Sequence, residues 1–153
     1  QAPVDESAAP PPPHRAMLRR KGRDLTLIGY SRMANQALAA AQQLATDGID
    51  AEIIDLRSLN PIDWDTCAAS VRRTGRVLIA EEDSRFAGAG AEIAATLTEL
   101  CFSSLRAAPM RVAALDLPIP YNKRLEEQSI PQPADIAAAA RQLLGLPTQE
   151  NAA

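Results

Sequence analysis

Short apolar runs alternate with helical patterns along most of the chain. Apolar residues between the runs recur at three- and four-residue spacing, the period of one helical face. Strands that are apolar throughout and separated by helices require a mostly parallel sheet covered on both faces. The pattern therefore predicts the α/β class, as a three-layer α/β/α sandwich. The predicted strands are Leu25–Tyr30 (LTLIGY), Ala51–Leu56 (AEIIDL), Arg76–Ala80 and Arg111–Leu115.

Local signals mark the ends of the first two predicted helices. Ser31 offers an N-cap to the first helix, and Gly48 ends it because glycine adopts the left-handed closing turn. For the second helix we expect Asn60 to be the cap, Pro61 the first residue and Gly75 the stop.

Two further helices and an edge strand complete the predicted elements. The third helix should start near Gly88–Ala91, and the segment Ala16–Arg19 could add an antiparallel edge strand, giving about five strands in all. The buried face of the third helix is predicted to be Ile93, Leu97, Leu100 and Cys101, and that of the last helix Ile136, Ala139, Ala140, Leu143 and Leu144.

The ends of the chain have a different composition. Residues 1–14 are rich in proline and alanine and have no periodicity, so we expect an extended linker without fixed structure. Residues 15–146 form the predicted domain, and residues 147–153 are expected to be a flexible tail.

Charge and cysteine content exclude several classes of function. Sixteen basic and nineteen acidic residues give a net charge of -3, which provides no cationic field for nucleic acid. Cys67 and Cys101 are the only cysteines and are predicted to be small buried residues, not zinc ligands or a disulfide. No apolar stretch reaches the length of a bilayer span, so no membrane contact is expected.

A glycine-rich segment and an acidic run are the main candidates for chemistry. Arg85–Glu92 (RFAGAGAE) lies where a dinucleotide-binding loop would follow a strand, but Ile93 stands where the last glycine is required. A close-packed helix start is therefore favoured over a cofactor site. Glu81, Glu82 and Asp83 are interpreted as a solvated or ion-paired loop with Arg85 as the partner, in preference to a metal or catalytic cluster.

Other reactive side chains lack the neighbours that catalysis needs. His14 lies in the proline-rich segment, and Ser31 lacks the G-x-S-x-G elbow of a serine nucleophile. Tyr121 is interpreted as a packing or interface anchor, and Trp64 as a core residue. The residues therefore predict no catalytic, cofactor-binding or metal-binding group in this chain.

Four blocks of sequence resemble the beta subunits of the decarboxylating components of pyruvate and branched-chain 2-oxo acid dehydrogenase complexes. Their order and spacing match over about residues 15–144. The second block also occurs in transketolase-type C-terminal domains generally, while the last, with its P-x-P-Y run, is typical of these beta subunits. The blocks are Arg23–Met33 (RDLTLIGYSRM), Ile49–Asp63 (IDAEIIDLRSLNPID), Thr74–Ala95 (TGRVLIAEEDSRFAGAGAEIAA) and Leu117–Ile136 (LPIPYNKRLEEQSIPQPADI).

The resemblance implies a transketolase C-terminal domain that is not active alone. In such enzymes thiamine diphosphate and Mg²⁺ lie between the alpha subunit and the N-terminal domain of the beta subunit. The implied partners are that N-terminal domain, the alpha subunit, a second beta subunit and the peripheral binding domain of the acyltransferase. The expected setting is cytoplasmic in a bacterium, or the mitochondrial matrix in a eukaryote. From the residues and the resemblance together, the candidate interface or docking residues are Glu82, Arg85, Arg106, Ala107, Tyr121 and Leu144.

The sequence departs from the family at the docking segment. The family places an acid just before an Ala-Pro step, and a terminal carboxylate after the last helix, against a basic acyltransferase domain. Here Arg106 or Ala107 stands where the acid would be, and a tail follows Leu144. Docking in the usual manner is thus in doubt unless Glu99 or Glu150 compensates or the partner's charge is reversed.

Two alternative functions remain open at this stage. One is a stand-alone ligand-binding α/β module that uses the loop from Glu82 to Gly90. The other is the C-terminal domain of a transketolase-like enzyme that acts on sugar phosphates, which fits the shared second block but not the Pro-Tyr segment.

Overall fold

A five-stranded sheet organises the protein, seen in a computed structural model that describes residues 12–146. The strands follow the order β1-β3-β2-β4-β5, and all pairs are parallel except β1 with β3. This confirms the predicted α/β class and the antiparallel edge strand. The strands are β1 (Met17–Arg20), β2 (Leu25–Gly29), β3 (Ala51–Asp55), β4 (Val77–Ser84) and β5 (Met110–Ala114).

Helices cover both faces of the sheet, as predicted. One core cluster joins the sheet to α1 and α5, and the other joins it to α2 and α3. The chain moves one way across the sheet from β2 to β3 and the opposite way from β3 to β4. Because both crossover connections have the same hand, α1 and α2 lie on opposite faces. The helices are α1 (Arg32–Thr46), α2 (Trp64–Thr74), α3 (Ala89–Cys101), α4 (Lys123–Ser129) and α5 (Pro133–Leu143), with a 3₁₀ turn at Phe102–Ser104.

Alternating strand side chains enter the two cores, which explains why the strands are apolar throughout. In β2, Leu27 joins the α1/α5 core, whereas Ile28 joins the α2/α3 core. In β3, Ile53 and Ile54 divide in the same way. A strand of a sheet buried on both faces has no polar side to show.

Several predicted boundaries are confirmed, and others are wrong. Ser31 does occupy the N-cap position of α1, but its side chain makes no capping hydrogen bond. The left-handed residues Gly48 and Gly75 follow the ends of α1 and α2, as predicted. The cap of α2 is Asp63 and not Asn60, because the Asp63 carboxylate accepts a hydrogen bond from the Thr66 amide at 3.2 Å.

Two more differences come from the local environment. Leu100 is exposed, because only Ile93, Leu97 and Cys101 of α3 turn fully toward the sheet. The strand β4 continues to Ser84, beyond the predicted end at Ala80. Residues 1–11 of the predicted extended segment 1–14, and the tail of residues 147–153, lie outside the described residues, while His14 is exposed.

Candidate interaction surfaces

The six residues predicted for interfaces lie at two opposite ends of the sheet. Glu82 and Arg85 follow the buried part of β4, and Tyr121 lies in the segment after β5, so all three are at the carboxyl ends of the strands. Arg106 and Ala107 precede β5, and Leu144 follows α5, which places them at the amino ends. The structure therefore divides the predicted set into two candidate surfaces.

A buried carboxylate organises the carboxyl end. Glu81 of β4 is fully buried, and its Oε2 accepts a hydrogen bond from the Gly90 amide at 2.7 Å. Its Oε1 lies 3.6 Å from Nη1 of Arg111 on β5. Burial raises the pKa of Glu81, although the Gly90 hydrogen bond and the Arg111 charge oppose the rise. The neighbouring Tyr30 hydroxyl also has a raised pKa, because of its burial and the charge of Glu81.

The glycines of the RFAGAGAE segment serve close packing around this carboxylate. A Cβ on Gly90 would lie 2.3 Å from Oε1 of Glu81, and one on Gly88 would lie 2.4 Å from the Ser84 carbonyl oxygen. The Gly90 N–H, in the first turn of α3, is already bonded to Glu81. An anion arriving there would meet a carboxylate instead of free amides. The geometry thus favours the close-packed helix start over a phosphate loop.

The predicted partner of the acidic run is wrong. Within residues 12–146, Arg85 makes no ion pair with the run, and its Nη1 donates to the Arg111 carbonyl oxygen at 2.9 Å. Arg111 returns a hydrogen bond from Nη1 to the Arg85 carbonyl oxygen at 3.1 Å and also forms the ion pair with Glu81. Along β4, Glu81 is buried, Glu82 is half-buried and Asp83 is exposed.

Exposed apolar side chains are concentrated at the carboxyl end of the sheet, beside the ion pair of Glu81 and Arg111. Twelve large apolar side chains are exposed in the described part of the chain, and six of them lie in the segments that follow β4 and β5. Tyr121 is fully exposed. The Phe86 amide donates to Asp116 Oδ1 at 3.1 Å, which joins the loops after β4 and β5. We define the carboxyl-end surface as Phe86, Leu115, Leu117, Ile119, Tyr121 and Leu125.

Arginines converge at the amino end of the sheet. Arg106 and Leu144, which are 38 positions apart in the sequence, line one pocket of about 270 Å³. We call it the arginine pocket. Its lining is completed by Arg23, Asp24, Ile49, Arg76 and Leu146. Ala107 is not part of this lining and belongs to an adjoining groove of about 600 Å³ that also includes Arg106.

Sequence reasoning missed Arg23, Arg76 and Glu81 as members of these surfaces. A signal for the two arginines does exist, because Arg23 and Arg76 each stand just before a strand of the parallel sheet. Residues before parallel strands gather at the amino edge. No comparable local signal distinguishes Glu81 from Glu82, since both lie in the same acidic run.

Within residues 12–146, neither a metal-ligand cluster nor an accessible thiol is present. No three His, Cys, Asp or Glu side chains in that range are placed to hold a metal ion. Cys67 and Cys101 are buried as predicted, and burial raises the pKa of the Cys67 thiol to about 12. No helix within that range is both long and apolar enough to cross a bilayer.

Comparison with known proteins places the chain in a family. Residues 14–136 match the family described as Transketolase, C-terminal domain. The beta subunit of the pyruvate dehydrogenase E1 component from Porphyra purpurea is 41% identical over 133 residues, covering 87% of this chain and 40% of that protein. The beta subunit of acetoin:2,6-dichlorophenolindophenol oxidoreductase from Cupriavidus necator is 39% identical over 141 residues, covering 92% of this chain and 42% of that protein.

A solved structure supports the same placement. The protein described as a split gene transketolase, in an inactive beta4 tetramer, aligns with a TM-score of 0.71 and 31% identity, covering 88% of this chain and 44% of that chain. This chain thus spans about two fifths of the length of the relatives that it matches. It belongs to the transketolase C-terminal domain family, in which its relatives include the beta subunits of pyruvate dehydrogenase E1 components.

Proposed function

We propose that this chain is the assembly and partner-docking domain of the beta subunit of a 2-oxo acid dehydrogenase decarboxylating component. The whole enzyme would oxidatively decarboxylate pyruvate or a related 2-oxo acid and transfer the acyl group to lipoamide. The observation that carries the proposal is the carboxyl-end surface, where apolar side chains are exposed on a frame fixed by Glu81 and Arg111. Exposed apolar side chains gathered at one end of a domain favour burial against another protein.

The chemistry would belong to thiamine diphosphate and Mg²⁺ held by other parts of the enzyme. The residues described here do not fit that cofactor. At the start of α3, the Glu81 carboxylate already binds the Gly90 amide, and a diphosphate would be repelled by it. We therefore assign this chain no catalytic step and no share in holding the cofactor.

The proposed partners are the N-terminal domain of the beta subunit, the alpha subunit and a second beta subunit. The names of the similar proteins support this assignment, since they are subunits of larger enzymes. The similar split gene transketolase is described as a beta4 tetramer, which supports contact between beta-type chains. Relatives from plants are named as mitochondrial, so the setting would be the mitochondrial matrix in a eukaryote and the cytoplasm in a bacterium.

The proposal is tested by a charge placed on the carboxyl-end surface. Leu117→Asp should weaken association with the alpha subunit and the beta N-terminal domain at least tenfold, because a buried carboxylate without a partner opposes the interface. Leu100→Asp is the matched control, since Leu100 and Leu117 are 43% and 44% exposed and Leu100 lies at the end of α3, at the amino end of the sheet.

The measurements are sedimentation velocity of the mixed subunits and pyruvate-dependent reduction of an artificial electron acceptor. Activity should appear only in the assembly and should fall with Leu117→Asp but not with Leu100→Asp. Turnover by this chain alone, or equal losses in the two variants, would contradict the proposal.

A second candidate function is the C-terminal domain of a transketolase-like enzyme. The similarity to the split gene transketolase favours it. The two candidates differ in substrate, so the reconstituted enzyme should be given pyruvate and, separately, a ketose phosphate with an aldose phosphate acceptor. Ketol transfer without 2-oxo acid decarboxylation would select the transketolase reading.

A further inference from the structure

The arginine pocket carries positive charge that residues 12–146 do not fully neutralise. Its lining holds three arginines and one acid, Asp24. The Asp24 carboxylate is already engaged, because its Oδ2 accepts a hydrogen bond from the Asp50 amide at 2.7 Å and its Oδ1 lies 3.9 Å from Nε of Arg23. Among residues 12–146, no carboxylate lies within 4.0 Å of the guanidinium of Arg76 or Arg106.

One guanidinium nitrogen in this pocket is buried without an acceptor. The Nε of Arg76 is inaccessible to solvent and has no hydrogen-bond partner among the described residues. The residue as a whole is only partly buried and lines the pocket. The Nε itself is closed to a ligand, but the two terminal nitrogens of Arg76 are not, so an anion in the pocket would be bound by them.

One backbone turn brings Arg76 and Arg106 close together. The Arg106 amide donates to the Gly75 carbonyl oxygen at 2.8 Å. The Arg106 side chain then crosses Gly75 so closely that a Cβ there would be 2.9 Å from its Cδ. Gly75 has a φ of 72° and is directly followed by Arg76. Both side chains therefore start from one turn, which brings them to the same pocket.

Apolar surface adjoins the arginines on two sides. Leu146 at the pocket is 44% exposed. On the other side of Arg106, the adjoining groove is lined mostly by apolar side chains and includes Phe102, which is 77% exposed. A small inorganic anion would use only the guanidinium groups. A polypeptide with a carboxylate next to an apolar side chain would use the whole surface.

We propose that the arginine pocket and the adjoining groove dock a partner polypeptide segment that carries a carboxylate beside an apolar side chain. This inference rests on the proposed function only for the idea that the partner belongs to the same enzyme complex. The sign of the charge comes from Arg76 and Arg106 themselves. It is opposite to the family resemblance, which implies an acid on this chain and a basic partner.

Binding should be measured with the full 153-residue chain on an array of seven-residue peptides. The central residue is Glu, Gln or Lys, and the flanking residues vary over Ala, Leu, Ile and Phe. Peptides with central Glu should bind at least tenfold more tightly than the Gln and Lys forms. Arg76→Glu and Arg106→Glu should each remove this preference, and Arg106→Gln should weaken it. Arg124→Glu changes an exposed arginine on α4 at the other end of the sheet and should leave binding within twofold.

Three outcomes would overturn the proposal. The first is equal binding of the three peptide sets, or a preference for Lys. The second is binding of inorganic phosphate with no preference among peptides, which would mean a free-anion site. The third is a preference that appears only after removal of residues 147–153, which include Glu150, because the chain would then supply its own carboxylate.

A separate readout distinguishes this proposal from the proposed function. Arg106→Glu should leave decarboxylation by the reconstituted enzyme unchanged when free substrate and an artificial acceptor are supplied. An unmodified chain that shows no preference for Glu peptides, while the reconstituted enzyme decarboxylates normally, would refute the docking inference alone. Failure of reconstitution with an intact Glu preference would refute the assembly role alone.

Discussion

Glu81 of β4 and Arg111 of β5 form an ion pair at 3.6 Å between a fully buried carboxylate and a mostly buried guanidinium. The pair joins neighbouring strands, and Arg111 also donates to the carbonyl oxygen of Arg85 in the loop that follows β4. Removing one partner of a buried pair leaves a charge without compensation.

Arg111→Leu should therefore lower the free energy of unfolding by about 3 kcal/mol. Arg85→Leu is a suitable control, because Arg85 is exposed and donates only to a carbonyl oxygen, so it should cost about 1 kcal/mol or less. Urea unfolding at pH 7 measures both. Equal losses of unfolding free energy in the two variants would show that the ion pair contributes no more to stability than the exposed hydrogen bond of Arg85.

The raised pKa of Glu81 gives a dependence of stability on pH with a definite sign. An acid whose pKa is higher in the folded state binds protons more tightly when folded, so its contribution to stability grows as pH falls. Glu81→Gln cannot titrate. The free energy of unfolding of the wild type minus that of Glu81→Gln should increase as pH falls from 7 toward the ordinary value of 4.5. Urea titrations at several pH values test this, and a decrease on acidification would be contrary to it.

Asp63 should show the opposite dependence on pH. Burial alone would raise its pKa, but hydrogen bonds from Thr66 and Ala16 outweigh that effect and hold the pKa below its usual value. Its contribution is therefore present at neutral pH and lost as pH falls below about 3.8. Asp63→Ala removes the N-cap of α2 and should cost about 1 kcal/mol at pH 7.

Asp63→Asn separates the charge from the cap. The substituted side chain retains an acceptor for the Thr66 amide. The loss in free energy of unfolding relative to the wild type should therefore disappear in acid. Urea unfolding at pH 7 and at pH 3 provides the comparison. A deficit that persists unchanged at pH 3 would rule out the charge as its source.

Gly90 should tolerate no side chain, although it lies inside a helix. A Cβ there would lie 2.3 Å from Oε1 of Glu81, so Gly90→Ala should destabilise by about 2 kcal/mol or more despite the better helix propensity of alanine. Gly48 is the control, because its φ is 76° and nothing lies within 4 Å of an added Cβ. Gly48→Ala should cost only the backbone strain of about 1 kcal/mol. Thermal unfolding distinguishes them, and a neutral Gly90→Ala would disprove the packing role.

Much of the fold was predictable because its signals are local. Gly48 and Gly75 were predicted to end helices from their neighbours alone, and both have left-handed backbone. The choice between Asn60 and Asp63 shows where local signals become ambiguous, since either residue could cap a helix and only the hydrogen bond to Thr66 decides. Helix α4 was missed because its seven residues are too few, and too polar, to show a period.

The candidate surfaces were less predictable because they depend on distant parts of the chain. The partner of Glu81 is 30 positions away, on the next strand of the sheet. Arg106 was singled out as a departure from a family pattern, but its grouping with Arg23 and Arg76 follows only from the alignment of parallel strands. Residue type suggested which side chains could interact, and the topology determined which of them do.

The amino and carboxyl ends of the sheet are separated by the length of its strands, roughly 17 Å for the five residues of β2. A protein that covers Tyr121 and its apolar neighbours therefore need not obstruct one that reaches Arg106. A domain with a separate binding surface at each end of its sheet can bind two proteins at once. A transient partner can then exchange at one end while a permanent subunit stays bound at the other.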